Sequence, residues 1–119
     1  GNKYSIEFDE TGKLEDIEKN IPFESIPENT IKSIKEYLDS FDKYRIDKVQ
    51  KQFSSSSKEN REIVEEALVN QTADIIRYEI EMDVKQDGKW TSYEALFSDE
   101  GKFILKREIV HRSSDFILY

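Results

Sequence analysis

A short stretch near the start of the chain recurs near its end, and this repeat limits the possible folds more than any other feature of the sequence. Residues Tyr4 to Leu14 read YSIEFDETGKL and residues Tyr93 to Phe103 read YEALFSDEGKF, so the two copies align at an offset of 89 residues. In each copy a Tyr and a Phe four residues apart share one face of a strand, and a Gly supplies the positive φ of a tight turn. The repeat predicts two similar β-hairpins. A chance recurrence stays open, because such turn residues are common.

Two helices are predicted between the copies. The first, over residues 28–41, has Pro27 at its start and a stripe of apolar residues spaced three and four apart, which is typical of an amphipathic helix lying on a sheet. The stripe consists of Ile31, Ile34, Leu38 and Phe41. The second and shorter helix, over residues 57–70, follows a serine run in which Ser56 and Glu59 have the spacing of a capping box.

Strands are predicted around these helices, most clearly between Ile76 and Val84, where apolar and charged residues alternate. The sequence Asp87-Gly88 indicates a tight turn after that strand. The predicted elements are a hairpin over 4–21 and strands over 44–53, with a bulge, 75–85, 90–98 and 102–110. The apolar end of the chain, residues 116–119, suits either an added edge strand or an unpaired end.

These elements predict a single α+β domain over residues 1–119. We expect one antiparallel sheet of about four to six strands, with the main amphipathic helix packed on one face and the second short helix at the edge. A chain of 119 residues is long enough to bury a core without disulfides, and it contains no cysteine.

The charge of the chain limits its partners. The formal net charge is −8, which repels phosphate backbones and anionic lipid head groups and favours a basic partner. We therefore expect no nucleic-acid binding. No apolar run is long enough to cross a membrane, so we expect no membrane insertion by this chain. The oligomeric state stays open.

Few residues in the sequence suit catalysis. The only imidazole is that of His111, in a basic segment, and no cysteine nucleophile exists. We expect a non-enzymatic protein without a cofactor.

Metal binding receives little support from the sequence. Residues Asp83 to Glu94 follow part of a calcium-loop pattern, but Lys85 stands where a ligand is needed, and a hairpin explains the segment better. A looser calcium site on the two similar hairpins remains an alternative, with the ligands Asp9, Glu10, Asp99 and Glu100.

Taken together, YSIEFDETGKL, IPENTIKSIKEYL and YEIEMDVKQDGKWTSYEALFSDEGKFI resemble the PepSY-like proteins, which are related in architecture to the beta-lactamase inhibitory protein. The resemblance covers nearly the whole chain, although no helix precedes the first hairpin and the short helix near Glu59 is additional. It implies a small exported protein, periplasmic or otherwise in the cell envelope or secreted, with an export signal removed ahead of Gly1. It also implies a role in binding or inhibiting other proteins.

The surface expected to bind a partner is the sheet face that the helices leave uncovered. Aromatic residues among carboxylates are typical of such surfaces, and Trp is enriched at binding hot spots. The candidates are Trp90, Leu96, Glu79, Glu81, Glu94 and Tyr44. Alternatively, Trp90 covers an edge of the core or packs under residues 116–119. The leading hypothesis is thus an exported protein-binding or inhibitory module, and the alternative is a calcium- or small-ligand-responsive periplasmic protein.

Overall fold

A computed structural model describes residues 3–110 of the chain. These residues form a six-stranded antiparallel sheet in which the strands lie in the order of the sequence. The elements are β1 (Tyr4–Phe8), β2 (Leu14–Asn20), a 3₁₀ turn (Phe23–Ser25), α1 (Glu28–Leu38), β3 (Lys43–Ser54), α2 (Asn60–Asn70), β4 (Ile75–Gln86), β5 (Lys89–Ser98) and β6 (Phe103–Glu108). The predicted α+β architecture is confirmed. His111 and residues 116–119 lie outside the described residues.

The two copies of the repeat form turns of the same design. In the first, the backbone N–H of Asp9 donates to Lys13 O at 2.8 Å, and in the second Ser98 donates to Lys102 O at 2.9 Å. Gly12 and Gly101 both have a φ of +87°. The strand register also shifts at equivalent places, between Glu7 and Phe8 and between Leu96 and Phe97.

Both helices lie on the same face of the sheet, over two adjoining hydrophobic cores. Ile34 and Leu38 of α1 are fully buried on β3, β4 and β5. Ile63 and Ala67 of α2 are buried on β2 and β3. Ile76 packs against both cores and so joins them.

The two hairpins differ in how far a helix covers them. Phe97 is fully buried and makes an edge-to-face contact with Tyr37 of α1, at a centroid distance of 5.5 Å. Its equivalent, Phe8, is 56% exposed. The reason is that α2 packs on β2 and β3 and leaves the side chains of the edge strand β1 largely uncovered.

The second helix begins later than the capping box predicts. Its first residue is Asn60, and its N-cap residue, Glu59, makes no side-chain capping bond. The preceding turn is organised instead by Ser55, whose Oγ donates to Asp74 at 2.7 Å and accepts from the backbone N–H of Lys58 at 3.1 Å. The capping-box prediction is therefore wrong, because an earlier serine bonds to the turn itself.

Candidate functional site

The candidate site is the face of the sheet opposite α1 and α2, which we call the open face. On β4 the residues between the buried Tyr78, Ile80 and Met82 point to this side. Strand register extends the open face across the sheet, because Glu79 pairs with Gln50 on β3 and with Leu96 on β5. Within residues 3–110, no helix lies over it.

Three carboxylates converge at one side of the open face, and we call them the carboxylate cluster: Glu7, Asp16 and Glu18. Glu7 on β1 pairs directly with Asp16 on β2, and Glu18 lies two residues further along β2 on the same face. One oxygen from each residue lies within 4.8 Å of the other two. Glu18 is only 8% exposed, and Oδ1 of Asp16 is buried without a hydrogen-bond partner.

The cluster is electrostatically unfavourable when it is fully ionised. Burial, followed by the charges of Glu7 and Glu15, raises the pKa of Asp16 to about 6. Burial, followed by the charges of Glu79 and Asp16, raises the pKa of Glu18 to about 7. The cluster therefore favours species that neutralise it, namely protons or cations.

Further carboxylates continue across the open face from this cluster. With its amide turned to donate, Gln50 lies 2.6 Å from Glu18 Oε2 and 3.2 Å from Glu79 Oε1 and so joins the two residues. Burial, followed by the charge of Glu94, raises the pKa of Glu79. Glu94 itself accepts from Arg107 of β6 at 2.6 Å. The open face thus carries carboxylates on four strands, β1, β2, β4 and β5.

A second feature of the open face is a shallow recess beside Trp90, which we call the Trp90 recess. It has a volume of about 350 Å³, and its lining residues are Arg45, Asp83, Trp90 and Ser92. Arg45 forms ion pairs with Asp83 and with Asp47, and Ser92 donates to Asp83. These bonds fix the polar floor of the recess, while the ring of Trp90 stays 51% exposed.

Five of the six predicted contact residues lie together on the open face. They are Trp90, Leu96, Glu79, Glu81 and Glu94. Tyr44 does not join them, because it lies on the helix side and packs against the core of α1. The predicted bulge in β3 explains this position: it falls between Ile46 and Lys48 and reverses the alternation for the residues before it.

The looser calcium site does not form as expected. Its ligands lie in two turns, one between β1 and β2 and the other between β5 and β6, at opposite edges of the sheet. Within residues 3–110, the group of acidic side chains that converges is the carboxylate cluster. Sequence reasoning missed it, although the buried Ile17 between Asp16 and Glu18 indicates that both carboxylates share the other face.

Comparisons of the chain with protein-family models, with curated proteins and with solved structures found no match. Among residues 3–110, neither helix is long or apolar enough to cross a lipid bilayer.

Proposed function

We propose that this chain is a non-enzymatic protein-binding module whose open face contacts a basic partner. The observation that carries the proposal is the large exposed ring of Trp90 beside half-buried carboxylates on a sheet face without a covering helix. Exposed Trp residues of this kind are the commonest anchors of protein interfaces.

Electrostatics support a basic partner over an acidic one. Glu79 and Glu81 on β4 have no Lys or Arg nitrogen within 4 Å among residues 3–110, whereas Glu94 is paired with Arg107. Burial raises the pKa of Glu79, which shows that its carboxylate has already lost part of its hydration in the free protein. Less water therefore has to be removed from it when a partner binds. A Lys or Arg placed opposite these side chains would gain an ion pair and speed encounter.

Apolar side chains extend the contact surface toward the edge of the sheet. Leu96 on β5 pairs with Leu105 on β6, and Leu105 is 52% exposed. Ser92 and Glu94 lie between Trp90 and Leu96 on the open face of β5, so apolar side chains flank polar and acidic ones. Such a mixture is expected at a protein interface. Export to the periplasm or cell envelope and kinship with the PepSY-like proteins belong to the same proposal and rest on the sequence resemblance.

The experiment is affinity capture from a Gram-negative periplasmic extract on the immobilised chain, followed by titration of any captured protein in purified form. We expect Trp90→Ala to weaken binding and to raise the dissociation constant at least about tenfold. Replacing both Glu79 and Glu81 by Gln should slow association and reduce its dependence on salt. The control is Val69→Ala, which alters a 72% exposed side chain on α2, away from the open face.

Capture alone does not support the proposal. The captured protein has to bind in purified form, and its affinity has to depend on Trp90 and not on Val69. Equal affinity for the wild type and Trp90→Ala would show that the open face is not the contact surface. Unchanged turnover of envelope hydrolases at micromolar protein would remove the narrower inhibitory role and leave the binding role intact.

A further inference from the structure

We propose that Tyr4, Lys19 and Lys51 form a binding site for an oxyanion, namely the phosphate or carboxylate group of a small ligand. This site, which we call the lysine site, lies on the side of the sheet on which the helices pack. It shares no residue with the open face, so it does not depend on the proposed function.

Strand pairing brings the three side chains together. Tyr4 on β1 pairs with Lys19 on β2, and Lys19 pairs with Lys51 on β3. Lys19 follows the fully buried Ile17 by two residues, and Lys51 precedes the fully buried Phe53 by two. Because side chains alternate along a strand, both lysines point to the helix side. Both are partly buried there and occupy directly opposite positions of two paired strands.

The end of α2 holds two of the donors in place. Gln71, the residue after α2, has a φ of +54°, and its side-chain amide bonds to the last turn of the helix. Its Nε2 donates to the hydroxyl of Tyr4 at 2.8 Å, and its Oε1 accepts from Lys19 Nζ at 2.9 Å. Since the hydroxyl oxygen of Tyr4 accepts from Gln71, its own proton is free to be donated to a ligand. One amide therefore positions a hydroxyl and an ammonium group before a ligand arrives.

The two ammonium groups have no counter-ion from the protein. The chain contains 26 Asp and Glu residues, but within residues 3–110 no carboxylate oxygen lies within 4 Å of the Nζ atom of Lys19 or Lys51. Lys58, which is also partly buried, is instead paired with Glu66 at 2.6 Å and with Asp74 at 3.0 Å. Like charges directly opposite each other on paired strands destabilise a sheet. Burial, followed by the charge of Lys19, also lowers the pKa of Lys51.

Aromatic rings compensate for only part of this repulsion. Lys51 Nζ lies 5.1 Å from the ring centroid of Phe53, and Lys19 Nζ lies 5.7 Å from that of Tyr4. Such contacts attract a cation without neutralising it, and each ammonium group has three N–H donors to satisfy. An anion bound between the two lysines would remove the repulsion and accept hydrogen bonds from both.

The donor set selects the kind of anion. Two ammonium groups and one hydroxyl suit a ligand with several oxygens that share a negative charge, as phosphate and carboxylate groups do. Phosphate carries more charge than a carboxylate at neutral pH and should bind more tightly. The net charge of −8 on the whole chain opposes anions at long range. We therefore expect weak binding of phosphate, with a dissociation constant of about 1 mM.

The test is isothermal titration of the protein at pH 7 with sodium phosphate and, separately, with sodium acetate. Melting curves are recorded at about ten times the expected dissociation constant, with sodium chloride of equal ionic strength as the reference. The variants Lys19→Gln and Lys51→Gln each remove one ammonium group and relieve repulsion, so both should fold. Lys48→Gln is the matched control, because it removes an exposed lysine of β3 that pairs with Glu81.

We expect a phosphate-specific heat in the wild type and in Lys48→Gln, with a rise in Tm of roughly 5 °C. Lys19→Gln and Lys51→Gln should weaken phosphate binding at least about tenfold and abolish most of the rise. Without phosphate, Lys51→Gln should melt no lower than the wild type, since it removes a repulsion.

The two salts distinguish the sources of the anion. Tighter binding of phosphate assigns the lysine site to phosphate groups, and tighter binding of acetate assigns it to carboxylates. An absence of heat with both salts, and of any shift in Tm beyond that in sodium chloride, would overturn the proposal. A loss in Lys48→Gln as large as that in Lys51→Gln would also overturn it, because the response would then reflect general screening of charge.

Discussion

Gly12 and Gly101 have the same φ of +87° at equivalent positions of two hairpin turns, but only Gly101 lies against a helix. A Cβ built on Gly101 would come within 2.6 Å of the backbone oxygen of Thr30 and 2.7 Å of Ser33 Cβ, both in α1. A Cβ built on Gly12 would meet no atom within 4 Å. A side chain at Gly12 would therefore cause backbone strain alone, whereas a side chain at Gly101 would cause the same strain and also clash with α1.

The first prediction compares Gly12→Ala with Gly101→Ala. Both place Ala at positive φ, which costs about 1–2 kcal/mol. Gly101→Ala must also displace the backbone of α1 near Thr30, so its total cost should reach about 3–4 kcal/mol. Urea denaturation of both variants measures the difference. Equal losses of stability would mean that α1 does not lie against the second turn.

The contrast between these turns shows what the sequence reveals and what it hides. The repeat predicts both hairpins because Gly and its flanking polar residues encode the turn locally. It does not predict that Phe97 is buried while Phe8 is 56% exposed, because burial depends on where each helix packs. The positions of α1 and α2 are set by contacts distant in sequence, such as Ile34 on β4.

The candidate site was predictable to a similar extent. Alternation along β4 and β5 places Glu79 and Leu96 on the open face directly. Tyr44 was misplaced because one extra residue in β3 reverses the alternation, and its position within the strand is not evident from composition. The carboxylate cluster was missed because it requires the register of Glu7 with Asp16, which a bulge sets.

The second prediction concerns Asn60, which joins the start of α2 to the first hairpin. Its Oδ1 accepts from Leu14 N–H and its Nδ2 donates to the oxygen of Gly12, both at 2.9 Å. Asn60→Ala should lower the free energy of unfolding by about 1–3 kcal/mol, since the part-buried Leu14 N–H loses its partner. Asn60→Asp keeps that acceptor and should lose less.

The control for Asn60 is Asn29→Ala, which changes an exposed Asn in the first turn of α1. Its effect should stay within about 0.5 kcal/mol. Urea denaturation ranks the three variants. A loss in Asn29→Ala as large as that in Asn60→Ala would show that removing any Asn side chain from the first turn of a helix causes the change, and not the loss of the bridge to Leu14.

The third prediction tests the packing of α2. Ile63 is 1% exposed in the core of Leu14, Ile17 and Phe53, so Ile63→Ala should cost about 2–5 kcal/mol. Val69 on the same helix is 72% exposed, and Val69→Ala should change stability by less than about 0.5 kcal/mol. Thermal and urea denaturation monitored by circular dichroism check both values. Similar costs for the two variants would place α2 away from β2 and β3.

The fourth prediction is that stability falls as pH rises from about 4 to about 7, with divalent cations removed by chelator. The pKa values of Asp16 and Glu18, about 6 and about 7 in the folded chain, exceed their ordinary values of 3.8 and 4.5. Between about pH 4 and pH 7 the folded state therefore binds more protons than the unfolded state. Stability is lost as rising pH ionises Asp16 and Glu18 in the folded chain. Because solvent still screens Asp16 and the two carboxylates share their charge, each contributes on the order of 1 kcal/mol.

Other carboxylates act in a different pH window. Hydrogen bonds from Thr11, Ser55 and Ser92 lower the pKa values of Asp9, Asp74 and Asp83 respectively, so their contributions are lost only as pH falls below about 4. Maximum stability should consequently lie near pH 4. Melting curves from pH 4 to 8 on the wild type, Asp16→Asn and Glu18→Gln measure the slope, with Glu81→Gln as control. Both cluster variants should flatten the slope and Glu81→Gln should preserve it. A flat wild-type curve over this range would mean that Asp16 and Glu18 ionise as readily in the folded chain as in the unfolded one, and a slope of the opposite sign would mean that they ionise more readily.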